Sequence, residues 1–256
     1  MKNLKYFLLS SLILLTISCS KNDDSNIEDG INKAPNQRPT GKSANDLLSS
    51  TNYKSLVIEI SYVGNLAPNP QTVTNLQQFL NARTNKPNGI TVVTKQIPAQ
   101  TGSPFSSAKI SQIEDDNRTE YNNGSILKLN LLFLNGASQN DTNTSKILGV
   151  AYRNTSCVLF EESIIGFSDQ LNEPNRVDLE TTVILHEIGH LLGLVNLGST
   201  MQTNHLDTAH DKHCTNQNCL MYWQIENSGV MQMMSNGNVP QLDANCLADL
   251  QANGGK

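Results

Sequence analysis

The sequence predicts an α+β fold in which a mixed sheet precedes one long helix and a small C-terminal subdomain. Three runs rich in β-branched and apolar residues are typical of strands, and two shorter runs follow them. The strand candidates are 55–63, 90–97, 125–135, 147–152 and 156–161. Helical segments separate the first three strands, and a proline-free helical segment at 178–194 follows the last strand.

The helical segments are supported by spacing and by end signals. Segment 72–84 has apolar residues three and four positions apart, and 106–117 is a polar helix candidate. In segment 178–194, Asp178 suits the first turn, where negative charge is favourable. Gly193 offers a stop, because glycine readily takes the left-handed conformation that ends helices.

Length and composition indicate one domain. The chain has 256 residues, of which 38% are hydrophobic and 16% charged, enough for one good core. We therefore expect a single folded domain at 51–256. The formal net charge is −5, and no cluster of Lys and Arg lies beyond the extreme N-terminus, so nucleic-acid binding is not expected.

The N-terminus has the composition of a secretory signal. Lys2 and Lys5 come before an apolar run at 6–17, and small residues then lead to Cys19. This arrangement resembles a lipobox, which implies a signal peptide at 1–18 and lipid attachment to the Cys19 thiol. An ordinary cleaved signal with an incidental cysteine is the alternative.

The residues after Cys19 are polar. Residues 20–24 resemble the acidic tether of Bacteroidota surface lipoproteins, which implies an outer-membrane lipoprotein on the cell surface; a periplasm-facing position is the alternative. Residues 19–50 contain few large apolar side chains, so we predict a flexible tether there.

The segment HEIGH at 186–190 carries the chemistry. On a helix, His186 and His190 lie near one line and about 6 Å apart along the axis, so both imidazoles can bind one ion. Glu187 points about 100° round the helix, toward the place of a metal-bound water. In this HExxH pattern the carboxylate is a general base and not a ligand. Two histidines packed by chance on a core helix are the alternative.

A third ligand is expected, because catalytic zinc usually takes three protein ligands and a water. The amide of Asn196 is uncharged and a poor zinc ligand. The stretch that follows supplies His205, His210 and His213, and the residues alone leave the choice open. Glu226 is a further alternative, in the manner of gluzincin peptidases.

The motif residues resemble the archaemetzincins, a branch of the metzincin metallopeptidases. That family has HExxHxxGxxHC, four residues, a second Cys, one residue and Met. This chain matches each element in order, but nineteen residues separate Gly193 from His213 where the family has two. The resemblance implies a zincin fold, an inserted loop at 194–212, His213 as third Zn²⁺ ligand, and Met221 in a Met-turn beneath the metal. Gly193 would turn the chain back toward the site.

Four cysteines follow Cys19, namely Cys157, Cys214, Cys219 and Cys246. In an exported chain disulfides are the default, and three pairings are possible. Closeness in sequence favours Cys214 with Cys219, which leaves Cys157 with Cys246. The archaemetzincin pattern also has a further CxxC pair and a structural zinc. That pair is absent here, so we expect the disulfide instead.

The resemblance implies a surface-anchored zinc endopeptidase that acts on a peptide or protein substrate. The lipobox and both motif segments together are similar to metalloprotease lipoproteins of Flavobacteria. Metzincins align substrate along an exposed edge strand, for which 147–153 is the candidate. The alternatives are a gluzincin-type peptidase and a catalytically silent binding lipoprotein that keeps the fold. Glu187 argues against the silent protein, because the base is intact.

Overall fold

A computed structural model of the protein describes residues 27–28, 30–234 and 238–256. The predicted signal peptide at 1–18 and the lipidation residue Cys19 lie outside the described residues. Within the described ranges, no helix has both the length and the apolar character needed to cross a membrane.

The regular elements follow the predicted order. The strands are β1 (Ile27–Glu28), β2 (Ile31–Asn32), β3 (Ser55–Val63), β4 (Ile90–Ile97), β5 (Ile126–Leu134), β6 (Gly149–Arg153) and β7 (Ser156–Phe160). The α-helices are α1 (Ala44–Leu48), α2 (Pro70–Arg83), α3 (Ser107–Asn117), α4 (Glu161–Gly166), α5 (Arg176–Leu191), α6 (Val230–Met233) and α7 (Ala244–Ala252). The described 3-10 helices are Ala34–Asn36 and Trp223–Glu226.

Five strands form one sheet in the order β4-β3-β5-β7-β6. The first four run parallel, and β6 pairs antiparallel with β7. This confirms the predicted mixed sheet. Because β6 is the last strand in the order, one of its edges has no neighbour within the sheet.

Helices cover both faces of the sheet, and alternation along β5 shows how the faces divide. Leu131 and Phe133 join a core shared with α2 and α5, whereas Leu132 and Leu134 join a second core. Helix α3 contributes Ile110 to that second core. The central strands therefore carry nearly continuous apolar residues, as parallel strands covered on both faces require.

Helix α5 begins earlier and ends earlier than the predicted segment 178–194. The Asn175 side chain caps its N-terminus by accepting from the backbone N–H of Asp178 at 2.9 Å. At the other end Gly193 has a φ of +79°, and its N–H donates to the carbonyl of His190. A Cβ on Gly193 would lie 2.6 Å from the Ala44 Cβ, so this turn has no room for a side chain. The predicted stop at glycine is thus present, one residue after the C-cap.

Residues 33–50 are packed, so the predicted flexible tether is wrong for this part of 19–50. Asn36 is fully buried, and its amide donates to the carbonyl of Lys128 at 3.0 Å. Leu47 and Leu48 on α1 are also fully buried. The prediction failed because residues 19–50 are polar on average, which suggested that they contribute no side chains to a core. However, a buried amide that is hydrogen-bonded to strand backbone costs little.

Lys86 ties α1 to the rest of the domain. Its ammonium donates to the carbonyls of Asp46, Ser49 and Tyr53 at 2.6, 2.5 and 2.9 Å. The first two belong to the last turn and C-cap of α1, where a positive charge is favourable. Lys86 therefore stabilises a helix too short to be stable by itself.

We expect Lys86→Met to lower the free energy of unfolding by about 2–3 kcal/mol, because three partly buried carbonyls lose their charged donor. Urea denaturation followed by circular dichroism measures this change. Lys42→Met on the exposed side of the same segment is the control, and equal losses in both variants would contradict the role of Lys86.

Candidate metal centre

Three of the predicted histidines converge at one place. His186 and His190 lie one turn apart on α5, and their Nε2 atoms are 3.1 Å apart. The ring of His213 lies 5.3 Å from that of His186 and 5.2 Å from that of His190, measured between centroids. All three residues are buried. The structure therefore brings together the three imidazoles that the motif and the resemblance singled out.

Backbone carbonyls set the orientation of two rings. The Nδ1–H of His186 donates to the carbonyl of Leu220 at 2.6 Å, and the Nδ1–H of His213 donates to that of Asp211 at 3.0 Å. In a neutral imidazole this leaves the Nε2 lone pair free. Both lone pairs face the shared space, as metal-binding imidazoles require.

The other candidates for third ligand lie elsewhere. Asn196 is exposed and has a φ of +68°, so its amide belongs to a turn at the surface. His210 stacks on Trp223 with centroids 4.0 Å apart. His205 is buried in a different cluster, described below.

Glu226, the alternative of the gluzincin type, lies in the same site as the histidines. Its Oε1 is 3.1 Å from His190 Nε2, 3.1 Å from His213 Nε2 and 3.8 Å from His186 Nε2. His213 and Glu226 are thus neighbours, and the site has four donors of the kind that zinc accepts.

Glu187 is fully buried beside this site, and neither of its carboxylate oxygens has a hydrogen-bond partner among the described residues. A Cβ on Gly149 would lie 2.8 Å from Glu187 Oε1, so glycine in β6 makes room for the carboxylate. Burial and the negative charge of Glu226 raise the pKa of Glu187 well above its usual value. An unpaired buried carboxylate is costly unless a cation or a proton donor arrives.

The donor set fits a zinc ion. Burial lowers the pKa of His190 to about 4, so this imidazole is neutral at pH 7 and can act as a ligand. His213 Nε2 is buried and has no hydrogen-bond partner in the described part of the chain. Zinc binds such imidazole nitrogens in sites of three or four protein donors.

Met221 packs against α5 at Gly189. It is fully buried, and a Cβ on Gly189 would lie only 2.3 Å from its sulfur. The glycine inside HEIGH therefore lets Met221 approach the helix one residue before His190. The role of Met221 as an apolar floor beneath a metal stays a prediction.

The four cysteines described are free thiols, so both predicted disulfides, Cys214 with Cys219 and Cys157 with Cys246, are wrong. Cys157 lies within β7, where burial raises the pKa of its thiol. The other three meet in a second cluster with His205. Neighbours in sequence need not present their sulfur atoms in the geometry that a disulfide requires.

The second cluster has the spacing of a metal site. His205 Nδ1 lies 3.3 Å from Cys214 Sγ and 3.9 Å from Cys246 Sγ, and the sulfur atoms of Cys219 and Cys246 are 3.6 Å apart. Tetrahedral zinc with Zn–S bonds of 2.3 Å places its sulfur ligands about 3.8 Å apart. The Nε2–H of His205 donates to Asp249 Oδ2 at 2.8 Å, a partner that orients many zinc-bound histidines.

Backbone N–H groups donate to two sulfur atoms of this cluster. Those of Met221 and Asp243 donate to Cys219 Sγ, and that of Asn216 donates to Cys214 Sγ, each at 3.4 Å. Hydrogen bonds from Cys214 and Cys246 lower the pKa of Cys219 to about 4. The ligand atoms of His205, Cys214, Asp243 and Cys246 lie close enough together to hold one structural metal ion, and Cys219 Sγ, 3.6 Å from Cys246 Sγ, is a further sulfur donor beside them. In the sequence, the spacing of HC at 213–214 and CLM at 219–221 pointed to Cys214 and Cys219. The place of His205 in this second cluster was not predicted.

Comparisons with known proteins give structural neighbours only. No family model and no curated protein matches the chain. The archaemetzincin of Methanopyrus kandleri matches with a TM-score of 0.45 and 15% identity, over 78% of this chain and 95% of that one. Metalloproteinase-II of Bacteroides fragilis matches with a TM-score of 0.43 and 14% identity, over 80% of this chain and 55% of that one. The function proposed below rests on the side chains of the site.

We expect Gly189→Ala to lower the free energy of unfolding by about 1–2 kcal/mol. Alanine gains up to about 1 kcal/mol in helix propensity, but overpacking against Met221 costs about 1–3 kcal/mol. Urea denaturation of the zinc-loaded protein measures the sum. In the Met221→Ala background the same substitution should be neutral or stabilising; an equal loss in both backgrounds would rule out the contact as the cause.

The purified protein should contain two zinc ions per chain, and Cys246→Ser should contain one. Mass spectrometry of the metal content together with titration of free thiols measures both. Cys157→Ala, which changes a thiol outside the cluster, should keep two. One zinc ion in the unsubstituted protein, with two thiols lost to a disulfide, would contradict a metal at the second cluster.

Proposed function

We propose that the protein is a zinc-dependent endopeptidase that hydrolyses peptide bonds. The observation that carries this proposal is the convergence of three buried imidazoles beside a buried carboxylate without a partner. His186, His190 and His213 would hold the metal, and Glu187 would act on the water. A site that only stored metal would not need an unpaired carboxylate, which costs stability.

The residues of the chain supply proton transfer and position. A bound zinc ion lowers the pKa of water toward 7 and polarises a peptide carbonyl. Glu187 would accept a proton from the attacking water and give it to the amine nitrogen as the C–N bond of the peptide breaks.

The substrate would lie along β6. This strand forms one edge of the sheet, and its first residue, Gly149, lies beside the Glu187 side chain. An extended peptide can add to such an edge through backbone hydrogen bonds, largely without regard to its sequence. The position fits a peptide or protein substrate.

Membrane attachment is a separate proposal that rests on the sequence alone. Lipid on Cys19 would anchor the protein in the outer membrane, facing the cell surface.

The function is tested by comparing Glu187→Gln with His213→Ala. Glu187→Gln should keep its zinc content and lose about 10²- to 10⁴-fold in kcat, because the general base is removed. His213→Ala should lose most of the zinc bound at this site. Hydrolysis of a broad peptide library and metal analysis give the two readouts.

Glu162→Gln on the exposed face of α4 is the matched control and should retain both zinc and hydrolysis. Full activity in His213→Ala would show that the ligand set is wrong. A zinc-loaded protein that cleaves no peptide of the library would favour the silent binding protein.

A further inference from the structure

The carboxylate of Glu226 lies at the position expected for a fourth ligand of a zinc ion held by the three histidines. With zinc–nitrogen bonds of 2.0–2.1 Å, the donors of a tetrahedral site are about 3.3 Å from one another. Glu226 Oε1 is 3.1, 3.1 and 3.8 Å from the three Nε2 atoms, which matches this separation. An atom at the position of the metal itself would lie about 2 Å from each nitrogen. The oxygen therefore occupies a corner of the tetrahedron and not its centre.

The contacts of Glu226 Oε1 with His186 Nε2 and His213 Nε2 are favourable only if a cation lies between the atoms. The Nδ1–H groups of His186 and His213 donate to backbone carbonyls, so in the neutral rings Nε2 is an acceptor. A carboxylate oxygen is also an acceptor. His213 Nε2 forms no hydrogen bond although Glu226 Oε1 is only 3.1 Å away. Two acceptors at this distance repel unless a positive charge lies between them.

Glu226 lies on the open side of the site. The side chains of His186, His190 and His213 are 0%, 5% and 9% exposed, whereas that of Glu226 is 32% exposed. Catalytic zinc keeps one position for water or substrate, and structural zinc has four protein ligands. The carboxylate thus fills the side from which a substrate would enter.

The backbone beside Glu226 also occupies the place of a substrate. The carbonyl of Glu226 accepts from the N–H of Leu148 at 2.8 Å, and the N–H of Ser228 donates to the carbonyl of Lys146 at 2.9 Å. Residues 147 and 227 form an antiparallel bridge. Residues 226–228 therefore extend the edge next to β6 in the way a bound peptide would.

The segment that bears Glu226 is held by the inserted loop. Trp223 stacks on His210 with an interplanar angle of 4°, and His210 Nδ1 lies 2.8 Å from Asp207 Oδ2. Ile225 is fully buried. The loop at 194–212 thus supports the closing segment by one ring contact, which a partner or substrate could replace.

We propose that Glu226 is a fourth protein ligand of the zinc ion and that residues 226–228 close the site by imitating a substrate. This inference rests on the proposed function, because it assigns a regulated state to the same site. The carboxylate and the paired backbone must move aside before a peptide can bind. An ion pair between Glu226 and protonated imidazoles, formed only without metal, is the competing explanation.

Zinc and acetohydroxamate affinities of the zinc-loaded full chain test the proposal in Glu226→Ala and Glu226→Gln. Zinc affinity is measured by competition with a chromophoric chelator. The dissociation constant for zinc should rise roughly 10-fold or more in Glu226→Ala. Removing a residue that only hydrogen-bonds to a metal ligand already lowers metal affinity by about 10- to 100-fold. Acetohydroxamate should bind about 10-fold more tightly, because apparent affinity scales with the open fraction of the site.

Glu226→Gln should fall between the wild type and Glu226→Ala in both measurements, because its amide oxygen is a weaker ligand. Glu162→Gln is the control and should match the wild type. Unchanged zinc affinity or unchanged acetohydroxamate affinity in Glu226→Ala would overturn the proposal. Neither readout needs a peptide. A protein that shows both shifts but cleaves no peptide would refute the proposed function and still support this inference.

Discussion

The close approach of imidazole nitrogens inside the protein is the constraint on which the rest of the structure depends. His186 Nε2 and His190 Nε2 are 3.1 Å apart in a buried site. If both nitrogens present lone pairs, as ligands do, this arrangement is unfavourable unless a cation is shared, and it persists only if the surroundings hold it. The glycines at 149 and 189 serve this purpose, because each lets a neighbour pack directly on α5.

The second cluster supports the first one. The chain after α5 adds no strand to the main sheet within the described residues, so this part has less regular structure to hold it. Cys219 lies next to Leu220, whose carbonyl orients His186, and Cys214 lies next to His213. A metal bound at this second cluster would fix both neighbours and thereby hold His186 and His213 in place at the first site.

The same geometry sets a conflict between firm metal binding and the hydrolysis proposed for this site. Four donors bind zinc more firmly than three and protect it from stray ligands, but catalysis needs one open position. A fourth donor on the exposed side resolves the conflict, since it can leave without disturbing the buried histidines. This also gives the 194–212 loop a role, because its stacking contact lies on the segment that would move.

Local periodicity allowed most of the sheet, α5 and the pairing of His186 with His190 to be predicted, because spacing along a helix or strand is fixed by the backbone. The path of the loop at 194–212 was not predictable, because its apolar residues show no helical or strand periodicity. The residues alone therefore left three histidines open, and only the resemblance favoured His213. The segment at 33–50 was misjudged for a similar reason: average polarity says nothing of the partners that a buried amide such as Asn36 will find.

What the sequence by itself determined is the chemistry of the donors and the helix that presents two of them. Only the tertiary structure decided which distant side chains join them. It grouped His205 with Cys246, 41 residues away, and placed Glu226 against His190, 36 residues away. The physical reason is that contacts between distant segments depend on how whole elements pack, and packing depends on shape and burial across the domain rather than on local spacing.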